Sequence, residues 1–231
     1  MSELSIPIAL IVGVLLMAIL FAVLIYYVSG SSITMMDDYD SWSEPLLAAI
    51  FITFCLITLS VIQIQVISGP PRIYVNLTGV VIPVAICLFL VAKKKLKLTQ
   101  TLISTGIITL LAIMLVRVEG TSIVIRFPFF LLPAIAAACL AIYFIRDRDL
   151  ISMISLAYFS ATMGMFLGGD IFNIWVASLP MESDINLGVY GLIDFVFLSG
   201  VMAVGIVIAF VIIQDRLKTH RAGSMEKRFE I

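Results

Sequence analysis

Long apolar runs constrain this sequence more than any other feature. There are about seven, at residues 6–28, 46–68, 73–92, 99–117, 128–145, 150–178 and 187–214. Each is close to or above the roughly 20 residues that a helix needs to cross a bilayer. In lipid every backbone N–H and C=O must find a partner within the protein, and no run alternates as a barrel strand would, so the runs are expected to be helices. The expected fold is all-α, a polytopic membrane helix bundle with a single transmembrane domain over residues 1–214 and a tail over 215–231. Composition agrees, with 62% hydrophobic and only 13% charged residues, against about 25% charged in soluble domains. A soluble enzyme, a disordered chain and a nucleic-acid binder with a basic face are excluded, and the lipid bilayer is the expected partner. Gly69-Pro70-Pro71-Arg72, Lys93-Lys94-Lys95 and Arg146-Asp147-Arg148-Asp149 punctuate the runs. Between Glu119 and Arg126, Ile123-Val124-Ile125 reads as a short re-entrant or strand-like piece. The first run has no basic segment before it and exceeds a signal-peptide core, so it reads as a retained helix.

Lys and Arg placement sets the expected orientation. Eleven of the 14 basic residues fall on the side of the tail and only three on the other. The C-terminus is therefore expected in the cytoplasm and the N-terminus outside, in a multi-pass protein of the plasma membrane. The acidic 30–45 loop, with Asp37, Asp38, Asp40 and Glu44, falls inside on this count although it carries no basic residue.

Most chemistries find no residues here. Cys55, Cys87 and Cys139 are scattered through separate apolar runs and read as small buried side chains, and the sole histidine is His220 in the tail. A His-rich zinc site and a Ser/His/Asp triad are excluded, and neither metal nor cofactor is expected. Asn76-Leu77-Thr78 lies inside a run, where it cannot serve as a glycosylation site.

Two carboxyls remain. Of 15 acidic residues, 13 fall in loops or tails, and only Asp170 and Asp194 lie within apolar runs. A carboxyl at a helix centre in lipid costs about 2.5–3.5 kcal/mol even on the forgiving insertion scale, so each is expected to face protein or water and to have a use. Asp170 stands eight residues before the end of run six, and Asp194 seven after the start of run seven. At 1.5 Å per residue both lie about 10–12 Å below the same outer surface. The short connection from Leu179 to Asn186 makes the two helices antiparallel neighbours, so the carboxyls can face each other. Half of the 14 glycines share these runs: Gly164, Gly168, Gly169, Gly188, Gly191, Gly200 and Gly205. Ser160, Gly164 and Gly168 give one smooth face for close packing, while Gly169 and Gly191 loosen the chain beside each carboxyl. Asn173, three residues beyond Asp170, shares its face and can bond that carboxyl, a substrate backbone or a neighbouring helix.

Two carboxyls facing each other repel when both are ionised, so the pair shares a proton and titrates as a unit. One can then activate a water while the other donates a proton to a carbonyl oxygen. The same pair can instead bind and release a transported proton or cation. A buried pair of purely structural use, in a non-catalytic membrane scaffold, is the third reading.

Gly191-Leu192-Ile193-Asp194-Phe195-Val196-Phe197-Leu198-Ser199 resembles the Gly-Leu-Gly-Asp-Phe-Ile-Phe-Tyr-Ser stretch of presenilin, with Ile193 at the second glycine. Asp170-Ile171-Phe172-Asn173-Ile174-Trp175 is similar to the Tyr-Asp-Ile-Phe-Trp-Val-Phe helix of signal peptide peptidases, with Gly169 in place of the tyrosine. This likeness to GxGD-type intramembrane aspartyl proteases covers two helices. It implies a presenilin-like aspartate pair on the last two spans, with Asp170 and Asp194 as catalytic residues. It further implies a cleft shaped by Gly169, Gly191, Asn173 and Ile193, and a transmembrane peptide as substrate. Those proteases carry a Pro-Ala-Leu motif after the second aspartate, whose nearest counterpart here is Pro133-Ala134-Ile135, which also reads as an ordinary helix start. From run three onward the chain also resembles an uncharacterised prokaryotic membrane family, a domain of unknown function. That family's Gly-Ala-Asp-Leu-Leu-Asn-Leu, Phe-Asp-Gly-Ile-Phe-Leu-Thr-Gly and Asn-Val-Gly-Gly-Ala-Leu-Ile-Pro motifs are similar to Gly169 to Ile174, Ile193 to Gly200, and Asn76 to Pro83.

Overall fold

A computed structural model describes residues 52–53, 55–68, 72–93, 96–119, 122–125, 129, 131–146, 149–172, 185–188 and 194–229. The first apolar run, the acidic 30–45 loop and the site candidates Asn173, Gly191 and Ile193 lie outside them.

The described chain is mostly helical. After helical residues 55–59 come strands β1 (Gln63–Ile67) and β2 (Ile73–Asn76) and a π-helical turn, π1 (Leu77–Val81). Helices α1 (Ile82–Ala92) and α2 (Leu98–Leu115) follow, then a hairpin of β3 (Val116–Glu119) and β4 (Ser122–Ile125). Helix α3 (Leu131–Phe144) precedes α4 (Leu150–Met165), which widens into a second π-helical turn, π2 (Phe166–Ile171). Strand β5 (Ile185–Leu187) leads to α5 (Phe195–Phe229). Among the described residues, three stretches are long and apolar enough to cross a membrane: Leu98–Leu115, Leu150–Ile171 and Phe195–Gln214.

The strands correct the all-helical expectation. Run 46–68 ends in β1, run 73–92 begins with β2, and run 187–214 begins at the end of β5, with its helix starting only at Phe195. Gln63-Ile64-Gln65-Val66 does alternate, and β1 pairs antiparallel with β2 while β2 pairs parallel with β5. Val75 and Leu187 turn one face of this sheet onto Val80 and Phe166 of the bundle. Gln65, Tyr74 and Asn186 fall on the alternate positions of the ladder, the polar face of the sheet. The strand-like reading of Ile123-Val124-Ile125 is the one adopted, with Val116 opposite Ile125 and Glu119 opposite Ser122. At the other end, α5 runs 35 residues to Phe229, so most of the expected tail continues the last helix.

Helix α4 is the hub and packs against α1, α2, α3 and α5. Its small residues explain why. A methyl added at Gly164 would meet Ile108 of α2, and one at Gly168 would collide with the carbonyl of Thr109 and the methyl of Ala112. The smooth face read from the sequence is therefore the seat of α2, with backbones in contact. On the opposite interface Gly200 lets α5 settle on Tyr158 and Thr162. Between them Ala134, Ala137, Ala138 and Ala141 of α3 complete a core with Ile108, Met153, Leu156 and Val207. Cys87 is buried in a second cluster, whereas Cys139 is exposed on the outer face of α3, against expectation.

The glycines separate packing from propensity. Gly168→Ala is expected to lower stability by about 1–3 kcal/mol through overpacking. Gly106→Ala, where nothing lies within 4 Å of the added methyl, should be neutral or stabilising by up to about 1 kcal/mol. Thermal unfolding of the detergent-solubilised variants checks both.

Candidate functional site

The site is built where α4 and α5 run antiparallel. Met165 clusters with Val196, the Ser199 hydroxyl points to the Ala161 carbonyl at 3.4 Å, and Met153 and Ala157 pack with Ala203 and Val207. Carried one turn past Met165, this register reaches Asp170. Carried two residues back from Val196, it reaches Asp194.

The two side chains are held differently. Asp194 is the N-cap of α5: its Oδ1 accepts from the Val196 N–H at 3.0 Å and its carbonyl accepts from the Leu198 N–H at 2.8 Å. The continuous apolar run had suggested a carboxyl seven residues inside a helix. Instead Asp194 stands at its start, where one N–H left over by the helix, that of Val196, points at its carboxyl. Asp170 lies in π2, and among the described residues its buried Oδ2 has no hydrogen-bond partner. A π-turn inserts an extra residue into the helix, and such turns recur at functional sites. The loosening expected beside Asp170 takes this form.

Ala112, Val116, Met165 and Val196 form one apolar cluster at this end of the helices, with Phe166 and Phe195, neighbours in sequence of the two carboxyl segments, packed against it. Gly169 sits over it, and a methyl added there would make ordinary contacts with Val116 and Met165, at 3.6 and 3.7 Å. Pro133 falls in the first turn of α3, where it is fully buried, and π2 packs on α2 and α4. Among the described residues no three His, Cys, Asp or Glu side chains gather.

A feature missed in the sequence borders the site. Asn76, 1% exposed, caps π1: its Oδ1 accepts from the Thr78 N–H and hydroxyl at 3.0 Å and from the Gly79 N–H at 2.9 Å, while Nδ2 donates to the Ser60 carbonyl at 2.7 Å. An Asn before a helical run followed by Thr was the available signal, hidden because the preceding β2 reads as more of the same apolar span.

Residues 47–206 match the family model described as a protein of unknown function (DUF1614), which is more than half of the 231 residues and includes Asn76, Asp170 and Asp194. The chain belongs to the DUF1614 family. No curated protein and no solved structure matches it.

Because an amide oxygen can accept the Val196 N–H as a carboxylate does, Asp194→Asn should keep the cap of α5 and Asp194→Ala should lose it. The Asn variant is expected to be the more stable of the two by about 1 kcal/mol, measured by thermal unfolding in one detergent.

Proposed function

We propose that this DUF1614 protein is an intramembrane aspartyl protease that cleaves transmembrane or membrane-proximal peptide segments. What supports the reading is the placement of the only two carboxyls within apolar runs: Asp170 in π2, which continues α4, and Asp194 at the start of α5, the helix that packs on α4. In this reading the chain has seven spans in a presenilin-like arrangement, in the plasma membrane, with the N-terminus outside and the C-terminus in the cytoplasm.

The roles follow from the surroundings. Asp194 receives an N–H at the positive end of α5, a setting that favours negative charge. Asp170 has a buried oxygen with no partner among the described residues, a setting that suits the carboxyl holding the proton. A water between them gives a proton to Asp194 while its oxygen attacks the peptide carbonyl carbon, and Asp170 gives its proton to the carbonyl oxygen. Collapse of the tetrahedral diol breaks the C–N bond. The amine leaves with the proton from Asp194, and the diol returns a proton to Asp170, restoring the pair. Gly169, Gly191, Asn173 and Ile193 shape the cleft in which an extended substrate meets the water.

Protein reconstituted with a transmembrane-helix peptide should cleave it, and Asp170→Asn and Asp194→Asn should each lower the rate by at least about 100-fold. Cleavage that survives both changes contradicts the aspartyl mechanism. Proton or cation flux in liposomes that both changes abolish, with no cleaved peptide, would assign the pair to a coupled transporter instead.

A further inference from the structure

The two aspartate segments meet a common third element. Gly79 of π1 lies so close to Gly188 that a methyl on it would stand 2.6 Å from the Gly188 carbonyl oxygen and 2.9 Å from its Cα. Gly188 follows β5 with φ of +70°, a left-handed conformation that L side chains rarely adopt, and a methyl there would meet Val80 Cγ2 at 2.9 Å. Six residues further on is Asp194. The neighbouring π1 residue, Val80, is buried with Leu187, and Phe166 packs on that cluster. Phe166 opens π2, four residues before Asp170. One turn of π-helix thus touches the approach to both carboxyls, and α5 itself also packs on π1.

We propose that π1 is the positioning element of the aspartate pair: Gly79 seats Gly188, six residues before Asp194, and Val80 braces the start of the turn that carries Asp170. The inference rests on reading Asp170 and Asp194 as a working pair and adds what sets their separation. Direct backbone contact suits this task because no side chain intervenes to change rotamer, so the spacing is defined to tenths of an ångström. Behind the contact π1 is itself locked. Asn76 ties its first turn to the Ser60 carbonyl through one carboxamide, and the parallel ladder of β2 and β5 brings Gly188 into line with three residue pairs. A misplacement of about 1 Å in a catalytic pair can cost on the order of 100-fold in rate, which makes Gly79, Val80 and Gly188 positioning residues for the reaction.

The test reads position rather than activity. In the full chain, with Cys55, Cys87 and Cys139 replaced by Ala, two cysteine pairs are introduced separately. Asp170→Cys with Asp194→Cys reports on the site, and Ala161→Cys with Ser199→Cys reports on the general packing of α4 against α5. Each is cross-linked in liposomes with a short bis-methanethiosulfonate. Gly79→Ala and Gly188→Ala are expected to slow the site cross-link by roughly tenfold and to leave the 161–199 cross-link unchanged. Gly106→Ala should alter neither. Val80→Ala, which removes the brace on Phe166, should likewise slow the site cross-link and leave the 161–199 cross-link unchanged. The proposal is overturned if both cross-links fall together, if neither changes, or if the site pair fails to cross-link in the parent. No step requires peptide cleavage, so a protein that proves not to be a protease still decides whether π1 sets the pair.

Discussion

A carboxyl inside an apolar helix bundle must be given a partner or a charge-sharing neighbour, because desolvating an isolated ionised carboxylate costs far more than a marginally stable fold can spare. The DUF1614 chain answers this constraint at Asp194, which stands at the start of α5 where a leftover backbone N–H reaches its carboxyl, while Asp170 lies in π2, the continuation of α4. The architecture around them serves that placement. Helix α4 is the central helix because Gly164 and Gly168 admit α2 to backbone contact, and Gly200 brings α5 onto its other side. Val116, Met165 and Val196 then join α4 and α5 to the end of α2 in one apolar cluster.

The small β-sheet extends the same logic to the end of the bundle. A chain leaving a span must satisfy its backbone before it can turn, and β1, β2 and β5 do so with one another. Pairing β2 with β5 joins the entrance of π1 to the segment before α5, although more than one hundred residues separate them in sequence. Two π-helical turns, one after Asn76 and one at Asp170, stand on either side of this junction and share the cluster of Val80, Leu187 and Phe166.

The parts of this arrangement that sequence made legible are those marked by exception. Asp170 and Asp194 stand out because so few charges enter apolar runs, and the Gly164 and Gly168 spacing marks a packing face because four residues make one helical turn. The strands were hidden for the opposite reason. Ile73-Tyr74-Val75 is as apolar as the helix it adjoins, and hydropathy does not separate a short strand from more helix, while Ile185-Asn186 reads as the end of a connecting loop. That ambiguity also moved Asp194 from its true place at the cap of α5 to an imagined helix interior, and concealed Asn76 as a cap. The contact of Gly79 with Gly188 has no local signature at all, because it depends on which distant strands pair. Asn173, Gly191 and Ile193 lie outside the described residues and stay as sequence left them.

The central claim is that Asp170 and Asp194 form one reacting unit, and the separation of their carboxyl groups in an experimental structure determined in a lipid bilayer tests it most directly. The account predicts carboxyl oxygens within about 5 Å of each other, with a water able to reach both. Carboxyls held more than about 10 Å apart, each bonded within its own helix, would contradict it.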